Sequence, residues 1–280
     1  MRRRGILVRA MTYTALAAVF VFFGFPLLYL VSTSLKPRPE LFVAVPTVLP
    51  RLPSLDAYAG VLFERGFAGL LLNSIVVGLA ATTLAIVLAF AVTYPITRLP
   101  ASRRTRTFVL DWALSLRFLP PIAVVVPYFT IVRAMGLYNQ LPALIIVYTI
   151  FNLPLAIWML KGFLQEIPLE VEEAAMSDGA SRWQAFRMVL LPLSRTAILS
   201  AGVVVFAFDW AEFLFAFILT ATPQAMTFPV GVQGLVTQFE IIWNDMAAGG
   251  VIAIAVPLML MLVARRYVIT GLTFGVIREK

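Results

Sequence analysis

Glu173-Ala174-Ala175-Met176-Ser177-Asp178-Gly179, followed ten residues later by Val189-Leu190-Leu191-Pro192, is the longest charge-rich part of the chain and lies between two long apolar runs. It reads as a short helix, a glycine turn and a second short helix held at a membrane surface. Ile167-Pro168 suits a helix start, because proline is favoured at the first helical position. Glu170, Glu172 and Glu173 then fall in the first turns, where carboxylates complement the helix dipole. Gly179 suits the helix end, where a left-handed residue is wanted. Ser181-Arg182-Trp183-Gln184 has the form of a capping box and starts a second helix. Ala174 and Ala175 are small enough to let a partner surface come close, and Phe186 can supply an apolar anchor. The plainer alternative is a helical hairpin that only joins two spans.

The chain is 61% hydrophobic and 13% charged, with a mean hydropathy of +0.94. Soluble domains carry about 25% charged residues, so lipid is the solvent for most of this protein. A span needs roughly 20 apolar residues. Five stretches reach that length with few or no charges, and a sixth is more broken. No soluble-sized polar segment, low-complexity region or internal repeat is evident, so residues 1–280 read as a single membrane domain. Cysteine and histidine are both absent, which removes disulfides, thiolate chemistry and imidazole metal sites. The net charge of +8 does not point to nucleic acid, because the basic residues flank apolar spans as topology signals do.

The spans are expected at about 10–35, 67–94, 108–131, 141–163, 196–220 and 246–264. Arg2, Arg3, Arg4 and Arg9 precede the first, which is too long for a signal-peptide core and is followed by no small-residue cleavage site. With the N-terminus inside, sixteen of the 22 Lys and Arg residues fall on the cytoplasmic side. They include Arg98, Arg103, Arg104 and Arg106, the set around Glu173, and Arg265, Arg266, Arg278 and Lys280. Five fall in outer loops, and Arg117 lies within span three. This asymmetry predicts cytoplasmic termini and a cytoplasmic Glu173 loop in a multi-pass plasma-membrane protein. The outer segments 36–66 and 221–245 read as surface chain with turns, because Pro37, Pro39, Pro223 and Pro229 break helices.

Ionisable groups at membrane depth are costly, so Asp111, Arg117, Asp209 and Glu212 stand out. Asp209 and Glu212 are three apart and are expected to share a helix face. Arg117 is expected to pair with one of them, or to line a pathway. Pro120-Pro121 with Pro127 are expected to break span three, and Asn152 with Pro154 to break span four. Broken helices are frequent around transport pathways, although membrane helices also simply tolerate proline. Trp112, Phe118, Tyr128 and Trp158 are candidates for stacking on a sugar, or for packing. No G-x-x-x-x-G-K-[ST] occurs, so the chain has no phosphate-binding loop of that kind. No catalytic constellation is evident.

The pattern of Glu173-Ala174-Ala175, Gly179 and Leu191-Pro192 closely resembles the EAA loop of permease subunits of type I ABC importers. Val189 stands where that family usually has Ile. Trp210-Ala211-Glu212-Phe213 is similar to the W-N-E-F of carbohydrate permeases, with Ala211 in place of Asn, and Gly271-Leu272-Thr273 is similar to their G-L-T. The resemblance covers nearly the whole chain. It implies an all-α polytopic membrane protein with six spans and a MetI-like permease fold, of the maltose-type carbohydrate branch. It implies a coupling loop at 164–195 in which Glu173, Ala174, Ala175, Asp178, Gly179, Phe186, Leu191 and Pro192 meet an ATPase. It implies pathway or buried-charge roles for Arg117, Pro120, Pro121, Asn152, Asp209, Trp210 and Glu212. The implied partners are a second permease subunit forming a heterodimer, two ATP-binding subunits that hold ATP and Mg, and an extracytoplasmic solute-binding protein. No cofactor is expected in this chain, and it is not expected to be an enzyme. A permease for glycerol-3-phosphate or another small polar solute is the alternative within the family, and a secondary transporter is the alternative outside it.

Overall fold

The computed structural model describes residues 2–43, 45, 47–100, 102–236 and 242–273. Arg278 and Lys280 lie outside the described residues. Among the described residues regular structure is helical and no β-strand forms. The helices are α1 (Arg2–Ser34), α2 (Asp56–Ala59), α3 (Phe67–Arg98), α4 (Arg103–Arg117), α5 (Pro121–Ala134), α6 (Leu141–Glu166), α7 (Glu170–Ser177), α8 (Arg182–Ala185), α9 (Leu191–Leu193), α10 (Arg195–Ala211), α11 (Leu214–Leu219), α12 (Phe228–Gln233) and α13 (Trp243–Thr273). Four stretches are long and apolar enough to cross a membrane: Met11–Ser34, Phe67–Arg98, Leu141–Glu166 and Trp243–Arg266. Two bent pairs, α4 with α5 at 97° and Arg182–Leu193 with α10 at 63°, bring the total to six if each pair is one span.

Proline acted differently from position to position. Span three does break at Pro120-Pro121, where Pro120 caps α5 in an extended conformation and Pro121 opens the helix. Pro127 and Pro154, however, sit inside the unbroken helices α5 and α6, so the expected break of span four at Asn152 and Pro154 does not occur. A proline at the start of a helix loses no internal hydrogen bond, whereas an interior one is accommodated by packing. Pro154 is itself buried.

The chain forms two compact units. In the larger, residues 69–230 and 256–280, α3 buries one face. Its buried positions, among them Ser74, Gly78, Ala81, Ala85 and Ala89, recur every three or four residues, which is the signature of one buried helix face. Small residues on that face let helix backbones approach. A Cβ at Gly78 would stand 2.9 Å from the ring of Phe206 on α10. The opposite face of α3 exposes Leu72, Leu79, Val87 and Leu88. One apolar cluster gathers Val77, Leu144, Tyr148, Phe215 and Leu219. A second gathers Phe90, Ile157, Leu160, Leu164, Leu190 and Val205. The chain after α11 is laced to α3: Asn73 Nδ2 donates to the carbonyls of Pro223, Gln224 and Met226 at 2.9–3.2 Å, and Ser74 Oγ accepts from Phe228 N at 2.8 Å.

The smaller unit comprises residues 1–68 and 231–255. The apolar window of α1 buries none of its residues against its own chain. The segment expected to be surface chain after α1 carries a 3-10 turn at Arg38–Phe42, α2, and a wide turn at Gly60–Glu64. Its folding follows from hydrogen bonds. Ser34 Oγ pairs with Tyr58 Oη at 2.7 Å, and Lys36 donates to the carbonyl of Thr47. Glu40 accepts from Thr47 Oγ1 at 2.8 Å and from Arg51 N at 3.0 and 3.2 Å. The Thr47 hydroxyl, helped by the Arg51 N–H and the nearby Lys36 and Arg51 charges, holds the Glu40 carboxyl below its usual value. A depressed carboxylate contributes stability above its unfolded pKa and loses it as the pH falls through the folded one. The protection factor of the Arg51 amide, its exchange rate relative to the intrinsic rate at the same pH, should therefore be high at neutral pH and fall on acidification through the lowered Glu40 value. Glu40→Gln should remove that acid dependence; an unchanged profile would show that Glu40 does not hold the segment.

Candidate functional site

The loop at 167–194 forms from local signals. Pro168 precedes the helix rather than opening it, and α7 begins at Glu170 with Leu169 as its cap. At its far end Ala180 N donates to Ala175 O at 3.0 Å and Gly179 N to Met176 O at 3.1 Å. This is the paired closure that satisfies the last carbonyls of a helix, and it requires a left-handed residue. Gly179 supplies it with φ 94°. The capping box is present: Gln184 N donates to Ser181 Oγ at 3.3 Å and Ser181 N to Gln184 Oε1 at 2.7 Å. After α8 the backbone widens into a π turn over Phe186–Leu190, and Pro192 lies in α9.

Glu173, Ala174, Asp178, Gly179, Leu191 and Pro192 are exposed, and Ala175 is half-buried. Phe186 is different. Its ring packs edge-on against Phe90 and Tyr94, 5.7 and 5.0 Å between centroids, and stacks on Trp183 at 5.1 Å. It therefore anchors the loop to α3 of its own chain and is not presented as a free anchor for a partner. It also lines an apolar cavity of about 710 Å³ beside Val87, Ala91 and Ile198.

A residue that sequence reading treated only as a topology signal proves central here. Arg98, at the end of α3, donates from Nη2 to the carbonyls of Leu164 and Ile167 at 2.8 and 2.9 Å. Its Nε lies 2.9 Å from Glu172 Oε1, and both side chains are about 95% buried. Burial pushes the Glu172 carboxyl above its ordinary value, with Arg98 and Arg182 acting in the opposite direction. The available sequence signal was the first Glu of Glu172-Glu173, two positions before the alanine pair.

The buried polar residues of α10 are arranged otherwise than expected. Asp209 accepts from Asn152 Nδ2 at 2.7 Å and from Thr82 Oγ1 at 2.9 Å, so it joins α10 to α6 and α3. Glu212 has left the helix with ψ 127°. Its carboxylate accepts from Phe215 N at 2.8 Å and Ala216 N at 3.2 Å, at the start of α11. Asp209 and Glu212 thus do not share a helix face, and span five is interrupted at Glu212. A carboxylate facing the free N–H groups of a helix start is well placed electrostatically. Among the described residues no carboxylate pairs with Arg117. Its guanidinium lies over the rings of Phe208 and Phe151, 4.6 and 5.7 Å from their centroids, an arrangement that aromatic quadrupoles favour. Trp210 is buried and stacks on Phe206. Asp111 is exposed. Trp112, Phe118 and Trp158 are also exposed, whereas Tyr128 packs against Phe215. Asn139, not singled out from sequence, has φ 61° and accepts from Ala221 N and Thr222 N. It ties the turn after α5 to the end of α11.

The long apolar helices are those of a multi-pass membrane protein. Residues 81–274 match the family described as binding-protein-dependent transport system inner membrane component, and the chain belongs to that family of ABC transport permeases. It is 37% identical over 257 residues to the trehalose transport system permease protein SugB of Mycobacterium tuberculosis, covering 90% of this chain and 92% of that protein. It is 32% identical over 269 residues to the inner membrane ABC transporter permease protein YcjP of Escherichia coli, covering 94% of each. Its fold matches a chain of a bacterial ABC transporter involved in the import of the acidic polysaccharide alginate, with a TM-score of 0.76 at 18% identity over 94% of this chain and 98% of that one. The likeness establishes the expected all-α permease fold.

Proposed function

We propose that this chain is one of two permease subunits in an ATP-driven, binding-protein-dependent carbohydrate importer of the plasma membrane. The observation that carries the reading is the exposed Glu173 to Gly179 turn, held rigid by its own hydrogen bonds yet leaving its outer residues without a neighbour to cover them. Residues 164–195 serve as the coupling loop within one permease domain spanning 1–280. Two ATP-binding subunits hold ATP and Mg and grip this loop and its counterpart on a second, different permease subunit, while an extracytoplasmic binding protein delivers solute to the permease pair. Their closure biases the permease between inward-facing and outward-facing arrangements. The chain itself carries out no covalent chemistry. The carbohydrate assignment is supported by relatives named for trehalose and diacetylchitobiose transport. A phosphate-bearing solute such as glycerol-3-phosphate would call for several cations, and Arg117 is already engaged by two aromatic rings.

The charge asymmetry supports cytoplasmic termini and a cytoplasmic loop. The test is uptake of radiolabelled trehalose, maltose and diacetylchitobiose by proteoliposomes holding the complete complex and its binding protein. ATP-dependent uptake of one of them is expected. Uptake driven by a proton or sodium gradient without ATP would overturn the reading in favour of a secondary transporter.

A further inference from the structure

We propose that Arg98 is the positioning residue that makes the coupling loop move as one body with the membrane helices. The inference rests on the coupling role proposed above. The loop touches the rest of the larger unit through two kinds of contact. Phe186, Ile167 and Leu190 supply the apolar kind, which is non-directional and tolerates sliding. Arg98 supplies a directional one. Its guanidinium sits at the end of α3, grips the last carbonyls of α6 through Leu164 and the chain just beyond through Ile167, and meets Glu172 in the first turn of α7. Three elements thus converge on one planar, fork-shaped group. Guanidinium suits this task because its donors are fixed in direction and it stays charged.

Energetics favour a positioning role over a stabilising one. A buried ion pair gives back in attraction about what it loses in desolvation, so it is weak evidence for stability. The raised pKa of Glu172 fits that balance, with burial outweighing its cationic neighbours. The pair does impose geometry. Any tilt of α7 relative to α3 must stretch the 2.9 Å contact or pull Arg98 off the carbonyls. A push delivered at Glu173, one residue along, therefore reaches α3 and α6 together. The other ionisable groups that interact with the pair are Arg182, which acts on Glu172 together with Arg98, and Tyr94. None of these takes the place of Arg98 at the carbonyls of Leu164 and Ile167.

The chain has no cysteine, so paired spin labels can be placed cleanly at two exposed sites, Ser177→Cys on α7 and Thr83→Cys on α3. In the complete complex the distance between them is expected to be the same without nucleotide and in the vanadate-trapped ATP state. In Arg98→Met/Glu172→Met, which removes both charges and strands neither, that distance should shift by roughly 3 Å or more, beyond the 1–2 Å of ordinary helix adjustments. Glu172→Gln, which keeps Arg98 on the carbonyls, should give a smaller shift and serves if the double variant does not assemble. Arg98→Lys should restore only part of the rigidity, because an ammonium lacks the fork. Distances that do not respond to nucleotide in any of these variants would overturn the inference while leaving the coupling role intact. Failure of the ATP-binding subunits to protect the unlabelled Ser177→Cys thiol from a soluble maleimide would instead overturn the coupling role.

Discussion

Binding-protein-stimulated ATP hydrolysis is expected to fall roughly thirtyfold or more in the complex when Glu173 becomes Lys or Gly179 becomes Trp. The figure corresponds to about 2 kcal/mol, the threshold of an interface hot spot. The two variants act by different routes. Glu173 is exposed on α7, so Glu173→Lys leaves the fold of the loop intact and reverses one charge on the fitted surface. Such a reversal places like charges or an unpaired charge against the partner. Gly179 has φ 94° with nothing within 4 Å of its missing Cβ. There is room for a side chain in the isolated subunit, but the backbone is one that L-residues avoid by about 1–2 kcal/mol. A tryptophan there both strains the helix closure and projects bulk outward. Both variants should insert in the membrane and be recovered at wild-type yield, which separates lost coupling from lost folding. Wild-type stimulation in both would show that this turn is not the docking surface.

The reasons for that expectation were legible in the sequence because they are local. A glycine three residues after a helix-favouring run, and a serine three residues before a glutamine, specify a helix end and a helix start with little help from the rest of the fold. The long apolar runs were equally legible, because bilayer thickness sets their length. What the sequence did not disclose depends on which residues of distant helices meet. Arg98 and Glu172 are 74 positions apart in the chain, and Arg98 was indistinguishable from the other basic residues that flank spans. Phe186 had the right composition for an outward anchor, but only the packing of α3 shows that the ring turns inward. Pro154 and Pro121 carry the same chemistry, and only their positions in α6 and α5 decide that one is absorbed and the other opens a helix. The three-residue spacing of Asp209 and Glu212 implied a shared face only while the helix was assumed to continue, and it ends between them.

The same loss of helical register changes what the buried charges should do on mutation. Arg117 was the natural partner for Asp209 by charge alone. Instead Asp209 is held by two neutral donors, Asn152 and Thr82, within 3 Å, while Arg117 lies over the ring of Phe208. Asp209→Leu should therefore destabilise the detergent-solubilised subunit, since it strands the Asn152 amide in a core where Asn152 is 2% exposed. Leaving a buried donor unsatisfied costs about 1–3 kcal/mol, although interhelical hydrogen bonds in membranes average nearer 0.6 kcal/mol. Asn152→Leu alone should also destabilise, and the double change Asp209→Leu/Asn152→Leu should cost less than the two singles together, by about 1 kcal/mol. By contrast Arg117→Met combined with Asp209→Leu should be additive within about 0.5 kcal/mol, as expected for residues that share no partner. Thermal unfolding midpoints of the three single and two double variants decide between the two arrangements. Additivity at Asp209 and Asn152, together with strong non-additivity at Asp209 and Arg117, would mean that the carboxylate answers to the guanidinium after all. The observed bond lengths argue for the first outcome: a carboxylate that already accepts at 2.7 and 2.9 Å gains little from a cation occupied elsewhere.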